Sequence, residues 1–375
     1  MADPRAAVAI TGMAVTSAFG RGTDPLRAAA MAGRPAFAPT RRFSADGYRT
    51  RAAAELPGTP VLADELADAI SAACDAAGLD RYQRSAVTLL LALHSDARAA
   101  RQAAPETIVG EVAAAAATRS GMRVSPRVYM TACVAASTAI ADAAAMIVSG
   151  RANQVVVGAG YLVDIDTFAL FDGGRVLARD GQVRPFSAGR QGMLLGDGVA
   201  AVVLESPAAA RARGAAVSAW LAGWGRAGDA YHVVQPSPAG SGLARAIAAA
   251  LRRARIQPAD IGYVNANGSG TSYADASETA ALHLALGSQA RKVPVSSTKS
   301  VHGHALEASA LLELVVTVLT LQAGLLPVNA GFLAPDADCE LELVLGTARE
   351  GRCRYALSLN AAFGGACTAL VVAAA

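Results

Sequence analysis

Two successive series of short, wholly apolar runs, each separated from the next by an alanine-rich block of helical length, dominate this 375-residue chain. Such runs lack polar alternation, so both faces of the strands they form must be covered. That predicts α/β layers, with helices packed on buried sheets. The first series has strands at 7–12, 86–93, 154–159 and 199–204, and a helix over 61–78 that Gly78 closes. The second has strands at 217–223, 261–265, 293–296, 341–345, 355–359 and 369–372, with helices over 242–254, 276–286 and 305–323. No Pro- or Ser-rich linker divides them. The chain therefore reads as one compact unit of two halves, 1–210 and 211–375.

Composition narrows the partners. Apolar residues make up 53% and charged residues 17%, which excludes global disorder. A net charge of +3 without a polybasic run gives no case for nucleic acid. Residues 1–20 lack the charged head and apolar run of a secretion signal. The apolar stretch 308–326 contains Glu313, Thr317 and Gln322, which predicts a buried helix and no membrane span. Five cysteines without a CxxC pair argue against a disulfide framework and a zinc site, and for a reduced, cytoplasmic setting. Arginine supplies nearly all the positive charge, as coding bias in a GC-rich genome would produce. Lys292 and Lys299, the two lysines, stand out against it.

Four segments carry candidate chemistry. Cys133 lies where an extended run passes into a helix of small residues, 135–149. A thiol at a helix N-terminus meets free N–H groups and the positive end of the dipole, which favour thiolate. Cys74, Cys339, Cys353 and Cys367 lack that context and read as structural. Asn267 opens a Gly/Ser/Thr turn directly after the strand 261–265, at the edge where α/β sites collect, and Asp275 and Glu278 follow at helical spacing. Lys299, His302 and His304 fall within six residues between a strand and the long buried helix. A shared metal is a poor reading of His302 and His304, because alternate positions point apart. Phe363-Gly364-Gly365 forms a tight turn whose backbone N–H can face a cavity.

These segments, in this order, resemble the β-ketoacyl synthases of fatty-acid and polyketide assembly. The matching stretches are VAITGMAVTSAFG (8–20), TACVAAST (131–138), RPFSAGRQGMLLGDG (184–198), GDAYHVVQPSP (228–238), NGSGTSYADASE (267–278), STKSVHGHALEASALLE (297–313) and AAFGGACTALVV (361–372). The resemblance implies a thiolase-like fold of two similar α/β halves in an α-β-α-β-α arrangement. It implies that Cys133 takes an acyl chain from the pantetheine arm of an acyl carrier protein. The N–H groups of Cys133 and Phe363 would form an oxyanion hole, with Phe363 gating the entrance. His304 would help activate the malonyl unit, Lys299 and Glu313 would organise the site, and Thr271, Gly364 and Gly365 would support it. It implies a cytoplasmic dimer, of identical or related subunits, with no metal and no cofactor beyond the carrier's arm.

Departures from the pattern bear on the reaction. Where the elongating enzymes have the His of HGTGT, this chain has Asn267, which can donate a hydrogen bond but cannot shuttle a proton. Glu307 replaces a small residue of the GHxxGAxG pattern and is expected near His304. The chain is also short between His94 and Tyr129, where the family builds the pocket floor and part of the dimer contact. The favoured expectation is an acyltransferase whose decarboxylative condensation is impaired or altered. The alternatives are a condensing enzyme with a Cys-Asn-His triad and a noncatalytic partner resembling chain-length factors.

Overall fold

The computed structural model describes residues 7–94, 105–123 and 126–375. The expected layered α/β architecture is found. Its first series is β1 (Val8–Ser17), α1 (Leu62–Ala76), β2 (Thr88–Leu93), β3 (Arg127–Tyr129), α2 (Ala135–Val148), β4 (Gln154–Tyr161), α3 (Ile165–Gly173) and β5 (Gly198–Glu205). The second is β6 (Ala219–Gly228), α4 (Ser241–Ala254), β7 (Ile261–Asn265), α5 (Ser272–Leu286), β8 (Pro294–Ser296), α6 (Ser309–Ala323), β9 (Glu342–Leu343), β10 (Tyr355–Ala361) and β11 (Ala366–Ala374).

These strands run in the order β9-β8-β7-β10-β11-β6-β1-β5-β4-β2-β3. The two series repeat one pattern outward from the β1–β6 contact. Two antiparallel pairings, β1 with β5 and β5 with β4, are followed by two parallel ones, β4 with β2 and β2 with β3. Likewise β6–β11 and β11–β10 are antiparallel, and β10–β7 and β7–β8 parallel. β1 and β6 join the halves, with Val8 opposite Leu221.

Helices α2 and α6 each touch strands of both halves, so they form the middle layer; α1 covers the first half from outside and α4 the second. That position explains their composition. α6 is buried from Ser309 through Leu321, and its Thr317 and Thr320 hydroxyls donate to the carbonyls of Glu313 and Val316 at 2.7 and 2.8 Å. A helix apolar all round belongs inside such a layer. The stretch Leu306–Ala323 is long and apolar enough to cross a membrane, yet most of it is buried in the protein.

Differences from the expected elements have local causes. β1 continues to Ser17 because Thr16 and Ser17 still pair with β5. The helix expected over 305–323 starts at Ser309. Before it, His304 bridges to Leu195, Leu306 takes a left-handed φ of 42°, and Leu306–Ala308 is a separate 3-10 turn. The helix Thr23–Ala32 and α3 were not among the expected elements. Within the short region between His94 and Tyr129, residues 95–104 and 124–125 lie outside the described residues, as do 1–6 of the amino-terminal segment.

Candidate active site

Strands β7, β8 and β10 are mutually parallel, so the segments leaving their C-terminal ends reach one edge of the sheet. Asn267 leaves β7, the 299–304 segment leaves β8, and Phe363 follows β10. Cys133 arrives from the other half, after β3. Ala132 holds a left-handed φ of 51°, and this bend sets Cys133 in a 3-10 turn at the head of α2. The four side chains line one cavity of about 110 Å³, together with Met193, Thr271 and Pro236.

Glycines let these segments converge. At Gly196 a Cβ would lie 2.1 Å from the His302 carbonyl, and Gly303, at φ 77°, faces Gly196 with Cα 3.0 Å from the site of its own absent Cβ. The backbone of His304 is thereby clamped between Leu194 and Gly196, donating to the Leu194 carbonyl at 2.8 Å and accepting from Gly196 N–H at 3.0 Å. At the mouth, a Cβ on Gly365 would meet Asp229 at 2.7 Å, and Asp229 N–H donates to the Gly365 carbonyl at 2.8 Å. The 228–238 loop is thus tied to the Phe363 turn. The Phe363 ring is half-exposed and leans on Phe171, with centroids 6.0 Å apart.

The hydrogen bonds define which atoms face the cavity. Asn267 Oδ1 receives Lys299 Nζ at 3.2 Å and the N–H of Ala361 at 3.3 Å, and both partners are donors only. The amide nitrogen of Asn267 is therefore the end left for the cavity. His304 Nδ1 accepts from Leu306 N–H at 3.1 Å and contacts Ser309 Oγ at 2.7 Å. Nδ1 being an acceptor, the proton sits on Nε2. Burial, with Lys299 and His302 adding to it, holds His304 well below the ordinary imidazole value, so the ring is neutral. Two neutral N–H donors thus share the cavity with Cys133. The N–H of Phe363 has no acceptor among the described residues, and the N–H of Cys133 interacts with its own sulfur.

Behind this surface lies a polar support. Lys299 Nζ is 2.5 Å from Glu313 Oε1 and donates to the Asn267 carbonyl at 2.9 Å. Asn360 Nδ2 donates to Glu313 Oε2 at 2.6 Å. Glu278 accepts the N–H groups of Asn267 and Gly268, both at 2.7 Å, and Asp275 accepts those of Phe186 and Gly270 at 2.8 and 3.1 Å. Burial pushes the Glu278 carboxyl up to about 7 and the Asp275 carboxyl up to about 6. Both belong to the first turns of α5, which bind the preceding loop from beneath.

One expectation changes. Burial, followed by the Glu307 charge, pushes the Cys133 thiol up to about 12, so desolvation outweighs the helix terminus that was expected to favour thiolate. Glu307, three residues beyond His304, contacts His94 Nδ1 at 3.0 Å. Gly364 lies in the turn outside the cavity lining, and Thr271 lines the cavity with its hydroxyl 3.0 Å from Ser269 Oγ. His302 and His304 diverge as alternate positions should: His302 contacts the Gly303 carbonyl and Thr298. No cluster of three or more metal-ligating side chains occurs among the described residues, and the five cysteines are unpaired. Ser309 and Asn360 had gone unnoticed in the sequence. Asn360 stands three residues before Phe363, a position worth reading whenever such a turn is singled out.

The thiol's environment predicts its reactivity. Alkylation of Cys133 by iodoacetamide should quicken about tenfold per pH unit from pH 7 to 10, since thiolate is the reactive form and stays scarce throughout. Glu307→Gln should raise the rate at pH 8 by removing a nearby negative charge. A rate that levels off below pH 9 would contradict this environment.

The cavity thus gathers a thiol and two neutral N–H donors. Residues 77–210 match the β-ketoacyl synthase N-terminal domain and residues 218–333 the β-ketoacyl synthase C-terminal domain. A Streptomyces cyaneus protein assigned as polyketide β-ketoacyl synthase 1 is 34% identical over 407 residues, covering 96% of each chain. Among solved structures, a β-ketoacyl synthase from Burkholderia phymatum STM815 superimposes with a TM-score of 0.88 at 28% identity, covering 98% of this chain and 99% of that one. The ishigamide ketosynthase/chain length factor matches with the same score, identity and coverage. The chain belongs to the β-ketoacyl synthase family, whose members transfer acyl groups.

Proposed function

We propose that this chain is an acyl-thioester enzyme of polyketide-like biosynthesis, that Cys133 is its acyl acceptor, and that Asn267 and His304 support decarboxylative condensation. The carrying observation is the fixed orientation of the two donors: Asn267 Nδ2 and His304 Nε2 both face the cavity that holds Cys133. In the first half-reaction the Cys133 sulfur attacks an acyl thioester, its proton passes to the departing sulfur, and the carrier's pantetheine leaves as the thiol. The developing oxyanion would lie against the N–H groups of Cys133 and Phe363. In the second, carbon dioxide leaves a malonyl thioester, and the enolate oxygen accepts from Asn267 and His304. The enolate carbon then attacks the Cys133 thioester and expels the sulfur, which takes up one proton from solvent and returns to the thiol. Neither donor has to take up a proton, so Asn267 can serve where an imidazole is not needed as a base.

A second reading, transfer of the acyl group without carbon addition, is favoured by Glu307. Its charge acts on Cys133, and it would also repel the carboxylate of an incoming malonyl unit. A noncatalytic, chain-length-factor-like role is disfavoured by the thiol itself. The partners proposed are an acyl carrier protein and a second subunit, identical or related. In support, β3 ends the sheet with one side unpaired among the described residues, an edge suited to pairing. The proposed setting is cytoplasmic, with no metal or cofactor beyond the carrier's pantetheine arm.

The test is mass spectrometry of the protein with acyl and malonyl carrier proteins. Condensation predicts an adduct at Cys133, release of carbon dioxide and a product two carbons longer. Asn267→Ala should slow carbon dioxide release by about 10²–10³ with Cys133 loading unchanged, the usual loss when one oxyanion donor is removed. An adduct that moves unextended to another acceptor would establish transfer.

A further inference from the structure

Asn267 and His304 are held in the same way. The atom at the back of each, Asn267 Oδ1 or His304 Nδ1, is met by two partners, which leaves the N–H end for the cavity. Behind Asn267 stand Lys299 Nζ and the Ala361 N–H, neither of which can accept. Behind His304 stand the Leu306 N–H, at 3.1 Å, and the Ser309 hydroxyl, at 2.7 Å. A hydroxyl can donate or accept, and its surroundings decide which.

Ser309 is fully buried at the first position of α6. Its Oγ accepts the Ala305 N–H at 2.9 Å and has no third partner among the described residues. The Ser309 proton therefore has one place to go, the Nδ1 lone pair. A proton on Nδ1 would instead face the Leu306 N–H aimed at the same atom, and would leave the buried hydroxyl proton unpaired. The 3-10 turn Leu306–Ala308, which Leu306 enters at a left-handed φ of 42°, folds these groups together. They form one short relay of donors: Ala305 N–H to Ser309 Oγ, Ser309 O–H to His304 Nδ1, and His304 Nε2–H to the cavity.

We propose that Ser309 is a positioning residue for condensation: its hydroxyl fixes the Nε2–H form of His304 and holds that N–H toward the enolate oxygen. The inference rests on decarboxylative condensation as the reaction. The Ser309 contact is the shorter of the two on Nδ1. With Leu306 alone behind it, the ring would rock about its Cβ–Cγ bond and point Nε2 at the enolate for only part of the time. The loss falls on kcat, because the charge that Nε2 meets develops only as carbon dioxide leaves.

Nitrogen NMR of the protein carrying isotope-labelled histidine tests the tautomer, with His304 assigned by the signals lost in His304→Ala. In the wild type Nδ1 should be unprotonated and Nε2 protonated. Ser309→Ala should move the Nδ1 resonance toward that of an imidazole nitrogen free of hydrogen bonds. A proton on Nδ1, or an Nδ1 resonance that Ser309→Ala leaves in place, overturns the positioning role without touching the condensation reading. Kinetics test the consequence. On enzyme preloaded with hexanoyl at Cys133, Ser309→Ala should slow carbon dioxide release from malonyl pantetheine about tenfold, the usual contribution of one neutral hydrogen bond, with KM changed less than about twofold. In a His304→Ala background the same change should slow release by less than about twofold. Equal slowing in both backgrounds marks a general disturbance of the fold and overturns the assignment. A wild type that releases no carbon dioxide overturns condensation, and Ser309's part in it, whichever way the spectrum falls.

Discussion

Cys133→Ser and Cys133→Ala are expected to abolish covalent acyl loading and to leave the fold in place. The fold should survive because neither change asks anything new of the backbone. The bend is made by Ala132, at φ 51°, and the first turns of α2 are held by Ala135, Ala136 and Ala139, all fully buried against the middle layer. Losing one sulfur from a site already packed by small residues costs about 1 kcal/mol, a small part of a domain's stability. The chemistry should not survive. The other four thiols stand outside the cavity shared by Asn267, His304 and Phe363, and a serine hydroxyl there is a far weaker nucleophile and acid than a thiol, with no base to make up the difference because His304 Nε2 carries its proton. Denaturation midpoints and intact mass after incubation with an acyl carrier protein measure the two halves of this expectation. An adduct persisting on Cys133→Ala would remove Cys133 from the reaction.

Much of the site was legible because its residues stand at junctions. Cys133, Asn267 and Phe363 each follow a strand and open a turn, and short-range patterns reveal such places. Lys299 was noticed for its rarity against an arginine-rich background. The contacts that assign roles were not legible. Glu307 meets His94 across 213 positions, and Ala361 holds the Asn267 amide across 94. Only the assembled layers bring these together, and no periodicity encodes them. Burial was the other unreadable quantity. A helix terminus is visible in a sequence, but the burial that overrides it at Cys133, and the Glu307 charge that adds to it, exist only in the assembled fold. The likeness of the two halves was expected from the two series of runs and from the resemblance, but the strand pairings that repeat reside in directions and neighbours and leave no residue-level identity.

The buried Lys299–Glu313 pair should be the most expensive place in the site to break. Lys299→Met would strand the Glu313 carboxylate inside α6 with Asn360 as its remaining partner, and would leave the Asn267 carbonyl and Oδ1 short of a donor. Breaking one side of such a pair typically costs about 3–5 kcal/mol, because the other charge stays buried and unpaired. Glu313→Leu should cost a similar amount by stranding the ammonium. The double variant Lys299→Met/Glu313→Leu should cost clearly less than the sum, since no charge then remains inside. The sign with pH follows from Glu313. Burial already pushes its carboxyl up, and losing Lys299 removes the main opposing influence, raising it further. A carboxyl raised in the folded state destabilises increasingly as pH rises from its unfolded value through its folded one. The Lys299→Met deficit relative to wild type should therefore be larger at pH 8 than at pH 5. Urea titrations at both pH values decide it; a double variant no better than the sum, or a deficit that grows toward acid, would mean that the pair is not what braces Asn267.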